Sequence, residues 1–351
     1  MKRIYILTVL LCFAVFEAQA QDNEKAPWGK RAVKTVKTFL DNLAFRNLDS
    51  TYLELPKHGW KVSVTTNFAG ISASVEGHDI PTYQDISVDM RSKLSGQTAI
   101  MMGYRSLSAS YSFDVAHGYS SDFNLAWFGK RFGVEFRSHS TEGLRGTLDA
   151  TATEGNLPIK EGDTRLKATI INGYYVFNYK KYSLPAAMKQ SVIQKRSAGS
   201  LTAYALFLSA RLDGKNQMAS AMLNGLKKIE FYQAAVGLGY GYNYTPNQGR
   251  LLMHISAAPL LVFFNKNFIT AAVDVPLSDG SRFQTDISKE VKTKHKYFLT
   301  GVARASVHYN LSKQVYVGAA ALVNDIRFSS ASGVEMQMDD WIVNASVGVR
   351  F

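Results

Sequence analysis

The last eleven residues, Trp341-Ile342-Val343-Asn344-Ala345-Ser346-Val347-Gly348-Val349-Arg350-Phe351, decide the fold. Trp341, Val343, Ala345, Val347, Val349 and Phe351 fall on one face of an extended chain. Asn344, Ser346, Gly348 and Arg350 fall on the other, joined by Ile342. Successive side chains of a strand point to opposite sides, so this pattern gives one apolar face and one small or polar face. In lipid, every backbone N–H and C=O must be satisfied within the protein, and only helices and closed barrels manage that. The reading is therefore a barrel strand with its apolar face toward lipid and its polar face toward a lumen. Trp341 and the terminal Phe351 are expected to serve as its assembly signal.

Working upstream, the same split recurs. Leu107, Ala109, Tyr111 and Phe113 alternate with Ser106, Ser108, Ser110 and Ser112, and Phe132, Val134 and Phe136 with Gly133, Glu135 and Arg137. Tyr232 to Tyr244 sets large residues against Gly237, Gly239 and Gly241, and these glycines suit a curving wall. Leu299, Ala303, Ala305, Val307 and Tyr309 oppose Thr300, Arg304, Ser306 and His308. The stretch from Val315 to Arg327 is apolar on both faces, which leaves its orientation open. Segments of this kind fall at 60–75, 97–105, 106–114, 121–128, 131–140, 164–179, 200–211, 229–244, 250–264, 296–310, 314–328 and 339–351. The expected fold is all-β, an antiparallel transmembrane β-barrel of about twelve strands over residues 59–351. A soluble β-sandwich alternates too, but the aromatic chain end, the long strands and the low proline count (8) weigh against it.

Connection lengths test this independently. With both ends in the periplasm, alternate connections should be short turns on that side and longer loops outside. The expected inner connections are a turn near Arg105, Gly129-Lys130, 180–199, Thr245 to Gly249, and Leu311 to Lys313. All but 180–199 are short.

The start of the chain reads differently. Lys2 and Arg3, the apolar run Ile4 to Phe16 and Ala18-Gln19-Ala20 form a signal peptide over residues 1–20. The single cysteine, Cys12, lies within it, so the mature chain has no thiol for a disulfide, a thiolate metal site or a nucleophile. The whole chain carries +12, and +11 without Lys2, Arg3 and Glu17. For an exported protein that excess favours lipid phosphates or acidic solutes, with no nucleic acid. Residues 21–58 form a periplasmic segment with a short amphipathic helix at 29–46, where Val33, Val36, Phe39, Leu40 and Leu43 share a face. Lys30, Arg31, Lys34 and Lys37 make its early turns basic, suited to an anion or a periplasmic partner. The plainer alternative is a cap packed on the barrel rim.

Connection 180–199 is the anomaly. From Thr164 to Leu212 there are eight basic residues and no acidic one, and Lys180, Lys181, Lys189, Lys195 and Arg196 belong to the connection itself. It could enter the lumen as a constriction or dock on the basic helix, and its cations join the helix's as candidates for an anion or partner site. Tyr174-Tyr175-Val176-Phe177-Asn178, Tyr182-Ser183 and Gln194-Lys195-Arg196-Ser197-Ala198-Gly199-Ser200 resemble an uncharacterised Bacteroidetes-type family, and Asp49-Ser50-Thr51-Tyr52 is similar to its opening motif. The family is a domain of unknown function, so the resemblance implies an outer-membrane barrel and no reaction.

The charges expected in the lumen are Glu135, Arg137, Arg304, His308 and Arg350. Small barrels fill their interiors with such networks; a ring of arginines would alternatively select anions. The seven histidines form no paired-His metal spacing and no GxSxG elbow, so no cofactor, metal or catalytic residue is assigned. His254 with Ser256, or His308 with Ser306, could serve a lipid-modifying enzyme, since residues two apart on a strand share a face. The expected role is a bacterial outer-membrane barrel, structural or passively permeable to small anionic solutes. The alternative is a binding barrel for an anionic envelope lipid or a periplasmic partner. Outer-membrane lipid and the barrel-assembly machinery are the other expected contacts.

Overall fold

The structure, a computed structural model, describes residues 47–351 except 81–82, 93–94, 116–117, 151–156, 216–225, 277–281, 292–296 and 330–333, together with Thr35, Thr38, Asp41 and Asn42. The signal peptide and nearly all of the helix expected at 29–46 lie outside the described residues. In chain order the elements are β1 (Leu53–Glu54), β2 (Trp60–Ile80), β3 (Tyr83–Ser92), β4 (Ser95–Tyr104), β5 (Leu107–Asp114) and β6 (Ser120–Phe128). There follow β7 (Phe132–Thr141), β8 (Leu144–Ala150), β9 (Leu157–Ile159), β10 (Thr164–Val176), α1 (Leu184–Lys189), β11 (Ile193–Gln194) and β12 (Ala198–Gly214). The rest are β13 (Leu226–Tyr244), β14 (Leu251–Pro276), β15 (Arg282–Val291), β16 (Phe298–Asn310), β17 (Val315–Ser329) and β18 (Val334–Arg350).

Twelve of these strands form a closed antiparallel barrel in the order β2-β4-β5-β6-β7-β10-β12-β13-β14-β16-β17-β18. Strand β18 returns to β2 in register from Val334↔Gly77 to Arg350↔Lys61. These are the twelve segments expected from alternation. The tight turns, near Arg105, at 129–131, 245–250 and 311–314, share one end with both termini of the barrel, where Trp60 and Phe351 exchange backbone hydrogen bonds of 3.0 and 3.2 Å. Short turns mark the periplasmic end of such barrels. At the other end β2 and β14 run on past the wall, β3, β8 and β9 extend the sheet beside β2, and β15 pairs with the upper part of β14.

The barrel is inside out relative to a soluble protein. Val64, Phe68, Ile100, Val134, Leu238, Ile255, Leu299, Val307, Val343 and Val347 are exposed on its outer wall. Inward positions hold Lys61, Asp122, Arg137, His254, Arg304, Asp340 and Arg350, all buried. An apolar band of this extent around a polar interior needs a hydrocarbon solvent. The protein is an outer-membrane β-barrel. Strand β17, left open by its sequence, presents Val323 to lipid and Tyr316, Asn324 and Ile326 to the interior.

The interior is full. Its outer half holds an apolar cluster drawn from strands all around the wall, including Ile71, Ile170, Leu208, Leu260, Val262, Val302 and Met338, with the buried Arg137 and Asp340 paired among them. Leu208 and Val262 are 0 % exposed, which a water-filled lumen would not allow. Gln233 of β13 crosses the interior to donate to the backbone carbonyl of Arg327 on β17 at 3.0 Å.

The inner half is filled by the connection from β10 to β12, which folds back into the barrel as a plug. Ser183 caps its helix α1, accepting from the Ala186 amide at 3.2 Å, with Pro185 in the first turn. Gln190 ends it in the left-handed conformation (φ 52°). Six residues would not hold a helix in water; this one is held because Leu184, Pro185, Ala186 and Ala187 are buried in the barrel. Gln194, 1 % exposed, ties the neck of the plug. It accepts from the Ser183 amide and donates to the carbonyls of Lys181 and Arg196, while β11 pairs with β1.

Candidate functional site

The candidate site is the seat of the plug. Alternation on β7 turns Glu135, Arg137 and His139 inward, and each finds a partner. Glu135 accepts from Asn124 of β6 at 2.9 Å and pairs with Arg304 of β16 (3.2 Å) and Lys189 of the plug (3.7 Å). Arg137 donates to Asp122 at 2.8 Å and, across the lumen, to Asp340 of β18 at 2.7 Å. The His139 Nδ1–H group donates to Asp122 at 2.8 Å. In so low a dielectric, charges persist only when matched, and these arginines are matched by carboxylates. They form a cross-brace, where a ring of free arginines would have made an anion filter.

Lower down, the wall grips the plug through its exposed backbone carbonyls. Ser306 and the His308 Nε2–H group both donate to the Ala187 carbonyl, at 2.9 and 2.8 Å. Arg350 donates to the Gln190 side chain at 3.2 Å and to Asn310 at 3.0 Å, and its guanidinium lies 4.6 Å over the Tyr316 ring. Lys61 donates to the Lys189 carbonyl. These cations meet carbonyls at the C-terminal end of α1, where partial negative charge gathers. A cavity of about 170 Å³ remains between plug and wall, lined by Lys189, Arg304, Asn67, Asn344, Ser63 and Ser110 among others.

On the other side of the plug, His254 and Ser256 of β14 share an inward face with Asn243 of β13. Asn243 Nδ2 donates to the Ser183 carbonyl (2.9 Å) and to Gln194 Oε1 (3.0 Å), so its Oδ1 is the atom turned to His254. His254 Nδ1–H donates to that oxygen at 2.8 Å, leaving Nε2 to accept from the Ser256 hydroxyl at 3.0 Å. Tyr182 of the plug lies over this group, and its hydroxyl occupies the space that a side chain at position 241 would need.

The five residues expected in the lumen, Glu135, Arg137, Arg304, His308 and Arg350, are thus brought together around the plug. The nine expected at a shared anion or partner site are not one group. Lys180, Lys181 and Arg196 are exposed at the periplasmic rim; Lys195 is partly exposed beside Glu54 at 3.9 Å. Lys181 and Arg196 stand 5.2 and 6.0 Å from the Tyr52 ring. Lys189 departs from them, because α1 carries it into the lumen. Lys30, Arg31, Lys34 and Lys37 lie outside the described residues. Trp341 covers Gly70 on the outer wall, and Phe351 closes the seam with Trp60.

Asp122, Asp340, Asn243, Asn124 and Lys61 are among the contributors that escaped the sequence reading. Asp122 and Asp340 lie on the polar faces of segments already read as strands, and following alternation from Asn124 and Asn344 reaches both. Asn243 needed the β13–β14 register, Asn243↔His254, which the sequence does not state.

The family model described as Domain of unknown function (DUF4421) matches residues 47–351. The chain belongs to this family. The DUF4421 unit thus holds β1, the barrel and its plug. No curated protein matches the sequence. Among solved structures, the DUF4421 barrel is similar to the outer membrane protease OmpT of Escherichia coli, with 8 % identity, TM-score 0.38 and coverage of 84 % of this chain and 97 % of that one. The β domain of the Bordetella autotransporter BrkA gives 14 %, 0.32, and 84 % and 100 % coverage. A FadL homologue of Pseudomonas aeruginosa gives 9 %, 0.24, and 88 % and 95 %. None of these likenesses bears on a residue of the DUF4421 plug or its seat.

Proposed function

We propose that this protein is a closed outer-membrane barrel that binds anionic envelope lipid at its periplasmic rim through Lys180, Lys181, Lys195 and Arg196, with Lys30, Arg31, Lys34 and Lys37 adding to the same charge. The observation that carries this reading is the filled interior. A dry outer half above a plugged inner half leaves no continuous water path among the described residues, so the rim is what the protein offers to other molecules. Basic side chains at that height lie among the headgroups of the inner leaflet, where each is worth about 1 kcal/mol toward anionic lipid. Trp341 and Phe351 fit an assembly signal for the barrel-assembly machinery. The Bacteroidetes-type origin, with the 174–200 motif as its signature, belongs to the same proposal and rests on the resemblance.

Two measurements test it. Purified protein in nanodiscs should retain anionic phospholipid over zwitterionic lipid, and the Lys180→Glu, Lys181→Glu, Arg196→Glu triple variant should lose that preference. In planar bilayers the wild type should show no steady conductance. A steady anion-selective current would sink the closed-barrel reading. It would instead favour passive permeation by small anionic solutes, a reading supported by the cavity beside Lys189 and Arg304. If the rim binds a periplasmic protein instead, photo-crosslinks at 180 and 196 return protein adducts and the lipid preference is absent.

A further inference from the structure

We propose that Ser256, His254 and Asn243 form a nucleophile, base and orienting group for cleavage of carboxylic esters, held latent beneath the plug. The rim-binding reading does not require this, and the sequence offers His254 with Ser256 and His308 with Ser306 alike. Two Ser–His pairs stand two residues apart on inward strand faces, and the structure treats them differently. Ser306 and His308 both donate to the Ala187 carbonyl and do not bond to each other, so they are plug-holding residues. Ser256 and His254 bond to each other at 3.0 Å.

The relay is oriented from behind. The Ser183 carbonyl and Gln194 fix the Asn243 amide, whose oxygen fixes the proton of His254 on Nδ1. Nε2 is then the free base facing Ser256 Oγ, the tautomer that nucleophile activation needs. Two groups, each with a buried donor that has no hydrogen-bond partner, stand beside the hydroxyl. Arg304 pairs with Ser256 across the β14–β16 register, and its Nε–H is buried without a partner. The Tyr182 hydroxyl, also buried without a partner, lies over Gly241, the β13 residue paired with Ser256. Arg304 Nε is the donor that an oxyanion beside Ser256 would require, and the Tyr182 ring is the cover above it.

In the proposed reaction, Ser256 Oγ bonds to the ester carbonyl carbon as His254 Nε2 takes its proton. The carbonyl oxygen turns toward Arg304 Nε. Collapse breaks the bond to the leaving alcohol, which receives the proton from His254. Water then attacks the acyl-serine with its proton passing to His254, and Ser256 recovers a proton as the carboxylic acid leaves. Just outward of Ser256 the lumen turns apolar at Ala258, Leu260 and Val302, which suits an apolar acyl part. Ser256 is 4 % exposed, so the Tyr182 cover must shift before an ester can reach it.

The test uses the full-length barrel in detergent, a fluorophosphonate probe and p-nitrophenyl butyrate, with migration on unheated gels as the check of folding. Ser256 should form a phosphonyl adduct slowly in wild type and faster in Tyr182→Ala, which removes the cover. The adduct and the esterase rate should fall about a hundredfold in His254→Gln, the usual worth of a general base. Asn243→Ala should fall similarly and shift the pH profile of labelling while the barrel stays folded. A network that only seats the plug would leave that profile unmoved. Absence of a Ser256 adduct in folded wild type and folded Tyr182→Ala overturns the proposal, as does a labelling rate indifferent to His254→Gln. A closed, lipid-binding barrel would survive either result.

Discussion

Arg137 shows how the interior is held together one side chain at a time. Its guanidinium links the carboxylates of Asp122 on β6 and Asp340 on β18, strands that do not pair with each other. Removing it leaves two buried carboxylates facing each other through a low dielectric, with His139 and Asn324 as their remaining donors. Breaking a buried pair in this way costs about 3–5 kcal/mol, while replacing all partners by neutral groups costs far less. Arg137→Met should therefore lower the urea midpoint for unfolding from lipid vesicles sharply, and Arg137→Met with Asp122→Asn and Asp340→Asn should recover most of it. Equal loss in the single and triple variants would mean that Arg137 acts by packing alone. That Arg137 faces inward was legible, because Phe136 and Ser138 flank it in a clear alternation. That it meets Asp340 was not, because a contact across a barrel depends on strand number and stagger, which a local pattern does not encode.

At the level of elements, strands and plug differ in how the sequence announces them. A barrel strand carries its own signature, since lipid on one side and lumen on the other impose a period of two on every crossing. The β17 stretch is the exception. Ala320 and Leu322 face the plug and the cavity, so its inner face is as apolar as its outer one. The plug has no period at all; its residues answer to the cavity they fill. Only its excess length and lack of acidic residues marked it. Its seat is nonetheless specific, and Gly318 supplies a handle. A methyl group at Gly318 would run into the His308 ring, which donates to the Ala187 carbonyl. Gly318→Ala should push the ring away, leaving the His308 Nε2–H group without its acceptor and the Ala187 carbonyl with Ser306 alone, at roughly 1–3 kcal/mol. Because the chain has no cysteine after Cys12, Ala187→Cys gives a clean reporter within the barrel. Its maleimide labelling should be slow in the otherwise native barrel and at least about tenfold faster with Gly318→Ala. Gly173→Ala, whose new methyl would meet only ordinary contacts at 3.8 Å, should leave the rate unchanged.

At the scale of the whole molecule, the seam between β18 and β2 is what turns a sheet into a barrel. It joins the two ends of the barrel sequence, so its closure carries the largest loop-entropy cost and depends on all other pairings being in place. Trp341 covers Gly70 in the middle of this seam, and Phe351 finishes it at the periplasmic end through its two backbone bonds with Trp60. Until the seam forms, β2 and β18 each expose an unpaired edge that lipid cannot satisfy and that other chains could take up. Loss of Phe351 removes two hydrogen bonds out of a long register, together worth about 1–3 kcal/mol. The finished barrel should tolerate that, whereas the closing step, which must compete with misassembly, should not. Deleting Phe351 is thus expected to cut severalfold the amount of barrel that resists unfolding on unheated gels after expression. The fraction that does close should unfold at nearly the wild-type urea concentration. Phe351→Tyr, which keeps both backbone bonds and the aromatic ring, should assemble normally. If the deletion variant assembles at the wild-type rate but unfolds far more easily, the terminal residue is a structural clamp, and its part in directing assembly is wrong.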